Sequence, residues 1–350
     1  MSRTLLAVDG NSLLHRAFHA NARSGFGTAD GRPRWAVRGL LSQLSAAVDR
    51  VCADAVVVGF DDPDVSVRRD RWPTYKAQRG PKPRSLEDQL AAAVEVLRDL
   101  GVVVAVPPGL EADDVLASAA AYARTLGART VLATSDRDSF ALVDDDTRVL
   151  RILNGGVDAS PLLDPARLVM VTGVRPEQYA DLAALRGDAS DNLPGVPGLG
   201  PKTAAALLAA LGTAEAAFAD AAGDGAACRA AVGAALTRTL ATPEAREVWE
   251  LNRAVMAMHD DAPLGLDLPA GTGCLPLAEA AVQQVFSSLE LQVPSAVRAL
   301  TGHEPSLPRP ADVDASWRPR GPRRMRHPRL PAAEPARVPA GPAYVQETLF

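Results

Sequence analysis

The 350-residue sequence contains few cysteines, few lysines and few aromatic side chains. Its three cysteines, Cys52, Cys228 and Cys274, lie far apart without a C-x-x-C pair, which excludes a readable disulfide framework or zinc site and fits a reducing compartment. No apolar run reaches the roughly 18 residues of a membrane span. The apolar start after Arg3 ends at Asp9, too soon for a signal-peptide core. We therefore expect a cytoplasmic protein without a membrane partner.

Lysine is the rarest of the common charged residues. Of 37 basic residues only Lys76, Lys82 and Lys202 are lysines, and the rest are arginines. The formal net charge is −5, which, spread evenly, would argue against a nucleic-acid partner. The position of charges along the chain is more informative than their sum.

Short apolar runs alternate with helical patterns in the first half of the chain. Nearly unbroken apolar runs typical of buried parallel strands occupy residues 4–8, 55–60, 102–106 and 130–134, with a further strand at 147–153. Helical spacing is found at 36–51, 86–100 and 113–126. This alternation predicts an α/β domain with a parallel sheet over residues 1–164.

The strand pattern disappears in the second half. Pro165 and Pro176 stand where helices can begin, and helical spacing continues at 203–211, 244–258 and 277–289, which predicts a helical domain over 165–291. Residues 301–350 contain ten prolines and eight arginines against five acids. We expect a Pro/Arg-rich disordered tail over 292–350.

Acidic residues follow four of the predicted strands. They are Asp9; Asp61 with Asp62; Glu111, Asp113 and Asp114; and Asp136 with Asp138. Each group alone is more typical of a strand-ending turn or a helix start than of a metal site. Because the carboxyl ends of parallel strands converge on one crevice, the groups together predict a site for hard divalent ions such as Mg²⁺ or Mn²⁺. Two such ions about 4 Å apart support phosphodiester hydrolysis.

A glycine-rich segment, residues 187–204, lies in the helical half. Gly195, Gly198 and Gly200 permit tight turns, and Pro201 and Lys202 then open a helix whose N-terminus suits a phosphate. A nucleotide-binding P-loop is disfavoured because Pro201 breaks its spacing and no strand precedes it. The segment favours a helix–hairpin–helix that grips the DNA backbone, with a plain interhelix turn as the alternative.

These motifs together resemble the 5′-nuclease (flap endonuclease) family, most closely the N-terminal 5′–3′ exonuclease domains of bacterial DNA polymerase I. The resemblance covers residues 3–290 and is carried by residues 6–13, 60–61, 75–79, 111–117, 136–138 and 187–204. It implies a PIN-like core plus a helix–three-turn–helix DNA-binding domain. It also implies two metal groups, the tighter at Asp9, Asp61, Glu111, Asp113 and Asp114, and the second at Asp136, Asp138, Asp188 and Asp191.

The resemblance implies roles for basic and aromatic residues too. The mobile arch would span about residues 68–86, with Tyr75 stacking on a base and Lys76 and Arg79 steadying the scissile phosphate. Asp9, Asp113, Lys76 and Arg79 would be catalytic. The remaining DNA contacts would come from Lys82, Gly195, Gly198, Gly200, Lys202 and Thr203, with K⁺ at the glycine hairpin. Trp35 and Arg38 depart from the family pattern near the start of a DNA-facing helix.

The chain ends in a sequence similar to the peptides by which bacterial repair and replication proteins dock on the sliding clamp. Gln346, Leu349 and Phe350 carry this likeness, whereas the tail arginines favour nonspecific DNA contact.

We expect a stand-alone, nucleoid-associated 5′–3′ exonuclease and flap endonuclease acting on DNA ends, flaps or nicks beside a separate DNA polymerase. The alternatives are a non-catalytic branched-DNA-binding homologue, which would not need the full acid set, and a PIN-type ribonuclease, which would lack the glycine hairpin.

Overall fold

Six strands form one mostly parallel sheet at the centre of the molecule. The structure, a computed structural model, describes residues 3–28, 31–290 and 293–302. The strands are β1 (Thr4–Asp9), β2 (Ala55–Gly59), β3 (Val103–Ala105), β4 (Arg129–Thr134), β5 (Thr147–Arg151) and β6 (Leu162–Leu163). They lie in the order β3-β2-β1-β4-β5-β6, and only β6 runs antiparallel to its neighbour. The parallel α/β fold predicted from the sequence is confirmed.

Both faces of the sheet are buried, which explains why its strands are apolar without alternation. On β1, Leu6 and Val8 enter one core while Leu5 and Ala7 enter the other, and all four side chains are fully buried. The first core is closed by α1 (Gly10–Asn21), α2 (Trp35–Val51) and α4 (Arg84–Asp99). The second is closed by α5 (Ala112–Thr125) and by the helices of the second half.

The second half is helical, as predicted. Its helices are α6 (Pro165–Thr172), α7 (Pro176–Arg186), α8 (Pro201–Leu211), α9 (Ala214–Ala222), α10 (Ala226–Leu240, broken at Gly233), α11 (Pro243–Val255), α12 (Glu279–Ser288) and α13 (Pro294–Thr301). Proline opens α6 and α7 at the first helical position, where its missing N–H costs no hydrogen bond.

Three features differ from the sequence-based expectation. Helix α1 was not predicted. In the helical half, two short strands of two residues each, β7 (Gly187–Asp188) and β8 (Leu193–Pro194), form an antiparallel ribbon. Part of the segment assigned to the tail is helical, because α13 packs on α2 through Ala296 and Leu300. Residues 303–350 lie outside the described residues.

The segment predicted as an arch has an ordered form here. Helix α3 (Val67–Arg71) is followed by turns and then by α4. All described residues belong to one compact unit. Within them no single helix has the length and apolarity to cross a membrane, although the bent pair α8–α9 meets both criteria by length and composition alone.

Candidate active site

Asp9 is the last residue of β1. Because β2 and β4 lie on opposite sides of β1, Asp9 is at the switch point of the parallel sheet, where the strand order reverses. Its Oδ1 accepts a hydrogen bond from the Ser12 amide at 2.8 Å, which caps α1. Its Oδ2 accepts one from the Thr134 hydroxyl at 2.7 Å, at the end of β4. Despite these bonds, burial and, to a smaller extent, the Asp61 and Asp136 carboxylates raise the pKa of Asp9 to about 7.

Asp61 follows β2 and faces the start of α5. Its oxygens accept hydrogen bonds from the Asn11 amide group at 2.6 Å and from the Ala112 N–H at 2.9 Å. Burial raises the pKa of Asp61, and the Glu111 carboxylate raises it further. The neighbouring Asp62 instead accepts backbone hydrogen bonds from Asp64 in its own loop and from Gly109 in the loop that follows β3. Asp61 therefore belongs to the site and Asp62 to the turn.

Glu111 is the N-cap of α5 and Asp113 and Asp114 lie in its first turn, and arch side chains cover these acids. Lys76 Nζ lies 2.8 Å from Glu111 Oε1, and the Tyr75 hydroxyl donates to Glu111 Oε2 at 2.9 Å. Burial would raise the pKa of Glu111, but the ammonium of Lys76 and the guanidinium of Arg68 hold it below its ordinary value. Burial raises the pKa of Asp113 well above its ordinary value.

Arg68 was not among the predicted site residues, yet it is the most completely bonded side chain of the site. It is 5% exposed, and its guanidinium reaches Glu111 at 3.0 Å, Asp113 at 3.5 Å and both oxygens of Asp114 at 2.8 and 2.6 Å. No sequence signal separates Arg68 from the neighbouring Arg69 and Arg71, because its burial depends on partners 43 to 46 residues away.

The second acid group lies where β4 meets the glycine hairpin. Burial, together with the carboxylates of Asp136, Asp188 and Asp191, raises the pKa of Asp138 to about 7. The Oδ1 atom of Asp138 is buried and has no hydrogen-bond partner within the described part of the chain. Asp191 pairs with Arg79, which ties the arch to the hairpin. A buried carboxylate oxygen without a partner is a costly feature that a bound cation would satisfy.

The glycine hairpin is built by close backbone approach. A Cβ on Gly195 would lie 2.0 Å from the Arg186 carbonyl oxygen, so only glycine fits there. Gly198 has a φ of +82°, whereas a Cβ on Gly200 would meet nothing within 4 Å. Lys202 is exposed on the first turn of α8 and Thr203 is half-buried. The hairpin thus has a rigid base and an open tip.

The aromatic and basic residues of the arch differ in how this conformation places them. Stacking of Tyr75 on a base requires an exposed ring, but the ring is 4% exposed and packs against Leu193 and Val255. Lys76 has a φ of +55°, a left-handed backbone that side-chain-bearing residues rarely adopt, and its N–H donates to the Asp191 carbonyl at 3.0 Å. Lys82 is exposed and lies close enough to depress the pKa of His15 on α1, whose main cause of depression is burial.

Trp35 and Arg38, which depart from the resembled family, lie together at the start of α2. The Trp35 indole donates to the Phe18 carbonyl at 3.1 Å. With Arg16 and Asn154, these two side chains line a cavity of about 590 Å³.

The predicted acids lie along the carboxyl edge of the sheet and on the adjacent glycine hairpin, but they do not converge on a single point. In the part of the chain that the structure describes, no three His, Cys, Asp or Glu side chains approach closely enough to form a metal-binding group. The cationic groups of Arg68, Lys76 and Arg79 lie among the acids instead. The donor set still fits a hard divalent ion, because it consists of carboxylate oxygens and includes the unpartnered Oδ1 of Asp138.

Three solved structures share the fold. The T5 5′-exonuclease with bound zinc superposes with a TM-score of 0.59 at 22% identity, covering 73% of this chain and 90% of that one. A bacteriophage T5 flap endonuclease variant in a complex with DNA and metal ions gives 0.58 at 20% identity, covering 82% and 100%. Human GEN1 with Holliday junction DNA gives 0.53 at 14% identity, covering 85% and 71%. At these identities the likeness concerns the fold alone.

Closer sequence relatives are bacterial polymerases. DNA polymerase I of Mycobacterium tuberculosis is 41% identical over 210 residues, which is 60% of this chain and 23% of the relative. The thermostable DNA polymerase I of Thermus aquaticus is 42% identical over 212 residues, 61% of this chain and 24% of the relative. This chain therefore matches only about a quarter of the length of these relatives.

Two family descriptions account for most of the described fold. Residues 4–170, which hold the sheet and the first acids, match the 5′-3′ exonuclease N-terminal resolvase-like domain. Residues 174–274, which hold the glycine hairpin and α11, match the 5′-3′ exonuclease C-terminal SAM fold. Since these matches cover well over half of the sequence and both halves of the site, the chain belongs to the 5′-3′ exonuclease family.

Proposed function

We propose that this protein is a structure-selective, sequence-independent 5′–3′ exonuclease and flap endonuclease that hydrolyses DNA phosphodiesters near 5′ ends in replication or repair. The observation that carries the proposal is the excess of buried negative charge at the carboxyl edge of the sheet. Asp9, Asp61 and Asp138 are buried or half-buried there, and none has an ion-pair partner among the described residues. Such a group is stable only with bound cations or bound protons.

The cations we propose are two divalent ions, Mg²⁺ or Mn²⁺. Of the five acids predicted for the tighter group, Asp9, Asp61, Glu111 and Asp113 would hold the first ion, whereas both oxygens of Asp114 are already hydrogen-bonded. Asp136, Asp138, Asp188 and Asp191 would hold the second. Bound divalent ions supply activation of a water nucleophile and stabilisation of charge on the leaving oxygen. The T5 relatives of this fold are described with zinc or with metal ions, which supports divalent dependence. K⁺ at the glycine hairpin is a further part of the proposal.

The chain's own cations would act on the substrate phosphate. Lys76 is held over the acids by its 2.8 Å contact with Glu111, so its ammonium can also donate to an oxygen of the scissile phosphate. Burial would lower the pKa of Lys76, but Glu111 and Asp191 raise it above its ordinary value, so Lys76 stays charged. Arg79, half-exposed beside Asp191, would hold the same or the adjacent phosphate.

The glycine hairpin would grip the duplex without reading its sequence. Gly200 leaves open space where a phosphate can approach the backbone, and the N-terminus of α8 presents N–H groups and a positive dipole there. Lys202 and Thr203 add a cation and a hydroxyl on the same turn. Relatives of this fold are described in complex with DNA, which supports this role.

We also infer the limits of the domains and a protein partner. We infer a catalytic domain over 1–164 and a DNA-binding domain over 165–291; of the predicted tail over 292–350, residues 294–301 form α13 and pack on α2. We propose that the chain docks on the sliding clamp through Gln346, Leu349 and Phe350, which lie outside the described residues. If this docking occurs, deletion of residues 346–350 abolishes clamp capture in a pull-down with the full chain as control. Undiminished capture by the truncated chain would contradict the clamp proposal.

The central test is cleavage of a labelled 5′-flap duplex with Mg²⁺ or with EDTA, mapping the cut. We expect cleavage near the flap junction in Mg²⁺ and none in EDTA. Asp113→Ala should abolish cleavage with little change in DNA binding, because its carboxylate faces the site with only one long contact to Arg68. Asp64→Ala, an exposed acid after the same sheet edge, is the matched control and should cleave normally. Equal cleavage in EDTA would refute the proposal.

A further inference from the structure

Asp114 differs from its neighbours in having no lone pair left for a ligand. It is 0% exposed. Its Oδ1 accepts hydrogen bonds from Arg68 Nη2 at 2.6 Å and from the His259 N–H at 2.8 Å. Its Oδ2 accepts them from Arg68 Nη1 at 2.8 Å and from the Glu111 N–H at 2.9 Å. A carboxylate offers about four acceptor positions, and all four are used.

Arg68 is satisfied to the same degree. Besides its bonds to acids, its Nε donates to the Val255 carbonyl at 3.1 Å and its Nη2 to the Ala257 carbonyl at 2.9 Å. The guanidinium therefore ties three segments together: the arch helix α3, the first turn of α5 and the end of α11. A rigid planar fork with this many donors is suited to holding groups in place.

Asp113 presents the opposite case one residue away. Its side chain keeps 27% of its exposure, and its one hydrogen bond within the described residues is the 3.5 Å contact to Arg68. Its oxygens are therefore available to a cation, whereas those of Asp114 are not.

We propose that Arg68 and Asp114 form a fixed ion pair that positions Glu111 and Asp113 for metal binding, and that Asp114 is a positioning residue, not a metal ligand. This inference rests on the proposed function, because it presumes that divalent ions bind beside Glu111 and Asp113. It departs from the assignment of Asp114 to the tighter metal group that the family resemblance implies.

The pair also links the acids to the DNA-binding half. Helix α11, whose end receives Arg68, carries Asn252, and the Asn252 side-chain amide donates to the Ala184 and Pro194 carbonyls at 2.9 Å each. Pro194 belongs to the hairpin ribbon. One helix thus contacts both the base of the glycine hairpin and the guanidinium that orients the acids.

A rival explanation predicts the opposite sign for the loss of Arg68. If Asp114 were a ligand, Arg68 would be a cation competing for the site, and its removal would strengthen metal binding. If the pair positions Glu111 and Asp113, its removal weakens metal binding, since loss of a group that orients metal ligands typically costs about 10- to 100-fold in affinity.

The experiment is Mn²⁺ titration of the full chain without DNA, with free Mn²⁺ measured by electron paramagnetic resonance. We expect Arg68→Gln and Asp114→Asn each to weaken Mn²⁺ binding at least about tenfold. The double variant should lose no more than the weaker-binding single variant, because the two side chains act as one unit. Arg69→Gln, on the same helix and exposed, is the matched control and should bind as the wild type does.

Folding is checked by near-ultraviolet circular dichroism and by the melting temperature of each variant. Arg68→Lys keeps the charge with fewer donors, and it should lose less affinity than Arg68→Gln. Unchanged or tighter Mn²⁺ binding in folded Arg68→Gln would overturn the proposal. If Arg68→Gln does not fold, unchanged or tighter binding by Asp114→Asn or Arg68→Lys would do so. A wild type that binds no Mn²⁺ would refute the proposed function, and this inference with it.

Discussion

Replacing Asp138 by asparagine should stabilise the metal-free protein at alkaline pH, although it removes a proposed metal ligand. Burial first, then the Asp136, Asp188 and Asp191 carboxylates, raise the pKa of Asp138 from 3.8 to about 7. Between pH 4 and 7 the folded protein therefore holds a proton that the unfolded chain has released. The free energy of unfolding falls as pH rises through this window and is lowest above pH 7.

The size of the effect follows from the shift. About three pKa units correspond to roughly 4 kcal/mol at 1.36 kcal/mol per unit, an upper limit because three neighbouring acids share the repulsion. Asp9, whose pKa is also about 7, titrates in the same window. Asp138→Asn should therefore reduce the pH dependence and not remove it.

The assay is urea unfolding in EDTA at pH 5 and pH 8, followed by circular dichroism. We expect wild type to lose stability between the two pH values and Asp138→Asn to lose less, with Asp145→Asn, an exposed acid, behaving as wild type. Added Mg²⁺ should stabilise wild type at pH 8 more than Asp138→Asn. An Asp138→Asn protein less stable than wild type at pH 8 in EDTA would show that this carboxylate is paired favourably and refute the reasoning.

Three further predictions concern the hairpin and the arch. Gly195→Ala should lower the free energy of unfolding, measured in urea, by about 1–3 kcal/mol, because the added Cβ would lie 2.0 Å from the Arg186 carbonyl oxygen. Gly200→Ala should have the stability of the wild type and weaken only DNA binding, measured by an anisotropy titration. Lys76→Met should slow single-turnover flap cleavage by about 10²- to 10³-fold with little change in DNA affinity, and an equal loss of affinity would assign it to binding. Asn252→Leu should cost about 1–3 kcal/mol for each carbonyl left unpaired, measured in urea, and an unchanged stability would mean that water replaces the amide.

The sheet and its acids could be predicted because their causes are local. A parallel strand buried on both faces is a short apolar run, and the residue after it lies at the carboxyl edge whatever the rest of the chain does. Asp9 shows the limit of this reasoning. Asp9 also caps α1 by accepting a hydrogen bond from the Ser12 amide. Because Asp9 was already explained as a turn residue or a metal ligand, its role as the N-cap of a helix was not predicted.

The ordered form of the arch could not be predicted, because it depends on pairing between residues that are far apart in the sequence. Arg68 is buried through partners in α5 and beyond α11, up to 189 residues away. Tyr75 is buried by the hairpin ribbon and α11 for the same reason. Nothing in the local pattern around either residue distinguishes a buried side chain from a solvated one.

The left-handed backbone of Lys76 means that its position involves a compromise between folding and chemistry. A residue with a Cβ held in this conformation costs about 1–2 kcal/mol, which glycine would avoid, but glycine carries no ammonium group. The hydrogen bond from the Lys76 amide to the Asp191 carbonyl offsets part of that cost only while the hairpin is in place. The hairpin therefore helps to hold the left-handed backbone of Lys76 in place, so a chain lacking residues 187–192 would present Lys76 less often to the acids.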